Sequence, residues 1–74
     1  QKFKDAIFEF RKVWEGWPRS DKAPDAVFKI ALSFQGLDDS ANAQLFLNEV
    51  ASSYPKSGAA KLAKERLAEL AKKK

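Results

Sequence analysis

Asp21 and Asp25 stand four residues apart, a spacing that brings two carboxylates to one face of a helix. Paired carboxylates are the smallest apparatus for general acid–base hydrolysis. Here they lack company: the chain has no histidine and no cysteine, which removes the imidazole base, the thiol nucleophile, the disulfide and the Cys/His zinc site. With no other reactive group beside it the pair is poor catalytic equipment, and the sequence reads as a non-enzyme without cofactor or metal. Asp38, Asp39 and Ser40 form a second acidic group. Unopposed amide dipoles at a helix start attract such residues, so capping is expected there rather than a cation. Lys61, Lys64 and Arg66 with the terminal lysines make a basic surface, but Glu65 and Glu69 interrupt it and no aromatics are interleaved. A nucleic-acid platform needs both, so a solvated face is expected, with Lys61–Glu65 and Glu69–Lys73 pairs along the helix.

Four helices must position these groups. Phe3, Ala6, Ile7, Phe10, Val13 and Trp14 recur at spacings of three and four, which predicts a helix that Gly16, Trp17 and Pro18 end near Glu15. Ser20 or Asp21 is expected to cap a second helix over about 23–35, with Pro24 in its first turn and Val27, Ile30, Ala31 and Phe34 as its core stripe. Gly36 to Asp39 supply a stop and the next start. The third helix, about 39–52, carries Ala43, Phe46, Leu47 and Val50, and ends at Tyr54-Pro55 as the first ends at Trp17-Pro18. The fourth, about 58–72, is rich in strong helix formers and turns Ala60, Ala63, Leu67 and Leu70 inward.

Length and charge add bounds. At 74 residues the chain is one small domain, with little surface to bury. Lys72, Lys73 and Lys74 supply most of its net charge of +4. No apolar run approaches the roughly 20 residues that span a bilayer, so no direct membrane insertion is expected. A chain beginning at Gln1 without methionine is expected to be a segment of a longer protein.

A shift of 37 residues pairs Ala6 with Ala43, Phe10 with Leu47, Val13 with Val50, Trp17 with Tyr54, Pro18 with Pro55 and Ser20 with Ser57. It continues into the following helix, pairing Ala23 with Ala60, Ala26 with Ala63 and Ile30 with Leu67. A helical hairpin that cannot cover its own apolar face must stack on a neighbour, and fixed periods result. Val27, Ile30, Ala31, Phe34, Ala43, Leu47, Val50 and Pro55 fall at spacings that resemble the tetratricopeptide repeat (TPR) family. Asp38 stands where that family usually has glycine, and Ser40 where an aromatic is common. The resemblance implies an all-α fold: TPR-type helical hairpins in a right-handed α-solenoid of four antiparallel helices. Residues 1–20 would be the second half of a repeat, 21–57 one complete repeat and 58–74 a C-terminal capping helix.

The period exceeds the roughly 34 residues usual for the family. The aromatic-Pro-basic-Ser turns at 17–20 and 54–57, followed by Ala-Pro-Asp-Ala at 23–26, resemble the carboxyl-terminal repeats of the cell-division coordinator family of the Tol-Pal system. The repeats of the lipoprotein in the outer-membrane barrel-assembly machinery are similar. Either resemblance implies a periplasmic protein-interaction scaffold. The first implies an adaptor that coordinates outer-membrane constriction with cell-wall synthesis during division, with the Tol energy-transducing protein or a peptidoglycan synthase as partner. A purely structural oligomerisation module is the alternative from a different class.

In a TPR stack the first helix of each repeat lines the concave groove, which assigns Asp25, Phe28, Lys29, Leu32 and Gln35 to partner binding. Phe28 and Leu32 would form an apolar pocket there, unless another repeat or a second copy covers them. Trp17 is expected to pack between repeats as Tyr54 does, while Trp14, whose counterpart is Ala51, belongs either to the core or to an exposed contact. With no helix before it, the first helix leaves Ile7, Phe8, Phe10 and Trp14 for self-association, as a homodimer or larger assembly.

Overall fold

The computed structural model describes residues 2–72, which form helices α1 (Lys2–Gly16), α2 (Ala23–Gly36), α3 (Ser40–Ser53) and α4 (Gly58–Lys72). No strand occurs among the described residues. The expected Glu69–Lys73 pair falls partly outside them.

Turn chemistry sets the boundaries. At the end of α2 the Asp39 amide donates to the Phe34 carbonyl (2.9 Å) and the Asp38 amide to that of Gln35 (3.0 Å), the two bonds of a Schellman motif. That motif needs a left-handed residue, and Asp38 supplies it with φ 60°. Glycine is the usual occupant, and aspartate is among the few others that tolerate the conformation. One residue later Asp39 caps α3: its carboxylate accepts from the Asn42 amide (3.1 Å) and from the Asn42 side chain (2.8 Å). These bonds hold the Asp39 carboxyl below its ordinary value of 3.8.

The start of α2 differs from expectation. Neither Ser20 nor Asp21 caps it with a side chain; Lys22 is the cap residue, and the Ala23 amide donates to the Ser20 carbonyl (3.2 Å) instead. A backbone turn thus takes the place of a side-chain acceptor. At the equivalent start of α4 the hydroxyl of Ser57 accepts from the Ala60 amide (3.0 Å) and donates to the Tyr54 carbonyl (2.8 Å).

Helix α2 is the hub, packing on α1, α3 and α4. Ala23, Val27, Ile30 and Ala31 are fully buried along it. Phe34 and Phe46, half-buried, stack with centroids 5.5 Å apart, and Trp14 meets Phe46 edge-on at 6.0 Å. Trp14 therefore bridges α1 to α3 at the margin of the core. Phe3 lies against Gly36, where a Cβ would collide with its ring, so the glycine permits the close approach of the α1 start to the α2 end. In α4, Ala59, Ala60 and Ala63 are buried, while Leu67 and Leu70 pack on the core from its edge. The expected Lys61–Glu65 pair does not form; the ion pairs among the described residues, Arg11–Glu15 (3.0 Å) and Lys12–Glu9 (3.8 Å), both lie on α1. Both are solvent-exposed pairs along one helix, which add little stability.

Candidate interaction surface

Of the residues assigned to the concave groove, Asp25 and Lys29 are exposed, one helical turn apart on α2. Gln35 and Leu32 are half-buried. Phe28 is not a free pocket wall: only 9% exposed, it joins Val27, Ala31, Leu47, Val50, Ala59, Ala60 and Ala63 in the core. The cause is α4, whose small residues at 59, 60 and 63 leave a seat for the ring. The signal was present in the sequence as an alanine triad opposite a phenylalanine.

Trp17 departs from expectation. It is 66% exposed and packs on no neighbouring repeat. Its counterpart Tyr54 is half-buried against the core, and its hydroxyl donates to the Pro18 carbonyl (2.7 Å), tying the second turn to the first. Tyr54 has a preceding turn to reach within the described residues, and Trp17 does not. Between the two turns lies a largely open surface cleft of about 650 Å³, bordered by Arg19, Asp21, Pro24, Tyr54 and Lys56.

A smaller groove of about 260 Å³ separates α1 from α2, lined by Phe10, Val13, Lys22, Asp25, Ala26 and Lys29. Shifting each residue by 37 gives Leu47, Val50, Ala59, Leu62, Ala63 and Arg66. Four of those, Leu47, Val50, Ala59 and Ala63, are core residues in the cluster that holds Phe28. The groove is therefore the first repeat's version of the Phe28 seat, standing open. The Lys29 ammonium hangs over the Phe10 ring at 5.4 Å and closes part of its mouth. Sequence reasoning had placed Phe10 and Lys29 on separate surfaces; the structure brings them together.

The remaining self-association candidates divide. Ile7 and Trp14 are half-buried, whereas Phe8 is 62% exposed with Lys12 over its ring at 4.5 Å. Leu45, the Phe8 counterpart, is 61% exposed although α3 is covered on both sides. Phe8 thus sits on an outer face that stays wet in both repeats, and a missing neighbour does not explain its exposure.

Among the described residues no helix is long and apolar enough to cross a membrane, and no three His, Cys, Asp or Glu side chains gather as metal ligands. No curated protein matches the chain at a significant level. Residues 25–57 match the family model of the tetratricopeptide repeat. That span contains α2 from its third residue, all of α3 and the Tyr54–Ser57 turn. With its two helices, Schellman turn and capped second start, the segment 25–57 has the helical-hairpin build of the repeat whose model it matches.

Proposed function

We propose that this chain is the binding portion of a periplasmic adaptor associated with the Tol-Pal system, holding the Tol energy-transducing protein or a peptidoglycan synthase during outer-membrane constriction. The aromatic-Pro-basic-Ser turns that frame the repeat support this reading. The partner surface is the exposed edge of α2: Asp25, Lys29 and Gln35, with Leu32 beside them and Phe28 beneath as a rigid support rather than a contact. The observation that carries a binding role is the placement of a charged pair, Asp25 and Lys29, in the open on the helix whose Ala26, Val27 and Phe28 are buried.

Titrating the isotope-labelled chain with the periplasmic domain of the Tol energy-transducing protein tests it. Shift changes are expected at Asp25, Lys29, Leu32 and Gln35, with binding at least tenfold weaker for Asp25→Lys with Lys29→Glu, a cost of about 1.4 kcal/mol or more. Perturbations confined to other faces, or none, would reject the groove and this partner together. A second reading, self-association through α1, rests on a different fact: α1 contains no buried residue. Solution mass across a wide concentration range decides it, and a helical monomer throughout rejects it.

A further inference from the structure

The cleft between the two aromatic-proline turns has both of its rims, residues 18–21 and 53–58, in the interior of the chain. The bond from the Tyr54 hydroxyl to the Pro18 carbonyl ties one rim to the other. All three prolines of the chain, Pro18, Pro24 and Pro55, border the opening. Their rings are apolar and hold φ near one value, so the walls are stiff and partly greasy.

Two cations stand on this frame. The shift of 37 pairs Arg19 with Lys56, so each turn contributes one at the same place. Both are exposed, and neither joins an ion pair among the described residues, although Asp21 borders the same cleft. Glu49, which accepts from the Ser53 hydroxyl, lies outside the lining. The bordering side chains are therefore two cations against one carboxylate, with no charge spent within the chain. The turn does not need its basic residue: Tyr54 and Ser57 make the hydrogen bonds of the second turn, and the Lys56 side chain between them makes none among the described residues. A spare polar group lies alongside. The Ser20 hydroxyl borders the cleft, is shut off from solvent and has no hydrogen-bond partner among the described residues, where Ser57 has two. A buried hydroxyl without a partner calls for an acceptor from elsewhere.

We propose that this cleft receives an acidic segment of a partner protein, with one carboxylate on Arg19, a second at Lys56 and an apolar side chain between them on the proline rings. The guanidinium fork matches a carboxylate in two parallel bonds, and the lysine adds a point charge. In an extended segment alternate residues face one way, so acid, apolar residue and acid at every second position present themselves together. A volume of about 650 Å³ suits a few side chains, within the roughly 300–1,000 Å³ of ligand-sized clefts. Inorganic phosphate meets the cations but leaves the proline walls wet. None of Asp25, Lys29, Leu32 and Gln35 borders this cleft, so the proposal goes beyond the α2 edge and stands or falls separately from it.

Titration of the isotope-labelled chain with the capped peptide Glu-Ser-Leu-Ser-Glu, and separately with Gln-Ser-Leu-Ser-Gln, tests the assignment. Saturable shift changes are expected at Arg19, Ser20, Lys56 and Gly58, with the glutamine peptide about tenfold weaker for want of charge-assisted bonds. Arg19→Lys keeps the charge, loses the fork and should weaken the glutamate peptide about threefold. Arg19→Gln with Lys56→Gln should weaken it about tenfold. Lys22→Gln with Lys29→Gln removes the same charge from the neighbouring surface and should leave the affinity unchanged. All four of these side chains are exposed, and circular dichroism checks that each variant keeps its helicity. Equal binding of the two peptides, equal effects of the two double variants, or no saturable shift at the cleft would each overturn the proposal. So would inorganic phosphate that saturates the same residues as tightly, since the cleft would then be a plain anion point. The α2 edge is judged by its own titration, whichever of these results is found.

Discussion

Helices α1 and α3 carry the same apolar stripe 37 residues apart, yet they lead different lives. Ala43, Leu47 and Val50 of α3 are completely buried, while Ala6, Phe10 and Val13 of α1 are half-buried. Among the described residues α3 lies between α2 and α4, whereas α1 packs its backbone on α2 and meets α3 through the Trp14 side chain. On the faces turned from the core the two helices agree, as Phe8 and Leu45 show by their equal exposure. Burial in such a stack is a property of position in the array, and the same residue pattern yields core or surface according to the number of neighbours.

The largest effect that would test this contrast comes from truncating the equivalent positions in turn. Leu47→Ala should cost about 3 kcal/mol, enough to unfold a domain this small, whereas Phe10→Ala, on a stripe covered from one side, should cost about 1 kcal/mol in dilute solution. Urea unfolding followed by circular dichroism gives both values. Similar losses at the two sites would mean that the α1 stripe is covered in solution after all. A smaller difference separates the turn aromatics. Tyr54→Phe deletes the bond to the Pro18 carbonyl and should cost about 1 kcal/mol or less, while Trp17→Phe, with no partner to lose, should leave the midpoint unchanged. A shift at Trp17 as large as that at Tyr54 would place a neighbour on the first turn.

The smallest effect is one of pH. Asp39 caps α3, and its counterpart in α1 is Lys2, which offers no carboxylate to the helix start. Because the Asn42 side chain and backbone lower the folded carboxyl below its ordinary 3.8, its contribution is fully present above that value and is lost as pH falls through the lowered one. Protection of the Asn42 amide, its exchange rate relative to the intrinsic rate at each pH, should therefore fall on acidification before that of the α3 interior, and Asp39→Asn should remove the dependence. Protection at Asn42 that is insensitive to acid would leave the cap without weight.

Much of this fold was legible in the residues. The two aromatic-proline turns and the Gly36–Asp39 turn are punctuation that any packing must obey, and the helices begin and end within a residue of where these signals place them. What escaped depends on what each residue meets. Ser20 and Ser57 are equivalent in sequence, yet Ser57 bonds to Tyr54 and Ala60 while the Ser20 hydroxyl has no hydrogen-bond partner among the described residues. Phe28 was read as a groove residue because its helical position faces away from α3; the alanines of α4, more than thirty residues on, decide otherwise. The α1/α2 groove needed the structure to find it, since Phe10 lies on α1, Lys22 in the turn before α2 and Ala26 within α2.

The order of helix contacts has a kinetic meaning as well. Contacts between helix backbones join neighbours in the chain, or helices one step further along, as α2 and α4 are. Such a chain closes few long loops on its way to the native state, which favours fast folding. It can also nucleate at the best-covered pair, α2 with α3, and add a helix at either side. By the same logic it comes apart from the edges inward, so α1 can leave while the matched repeat stays formed.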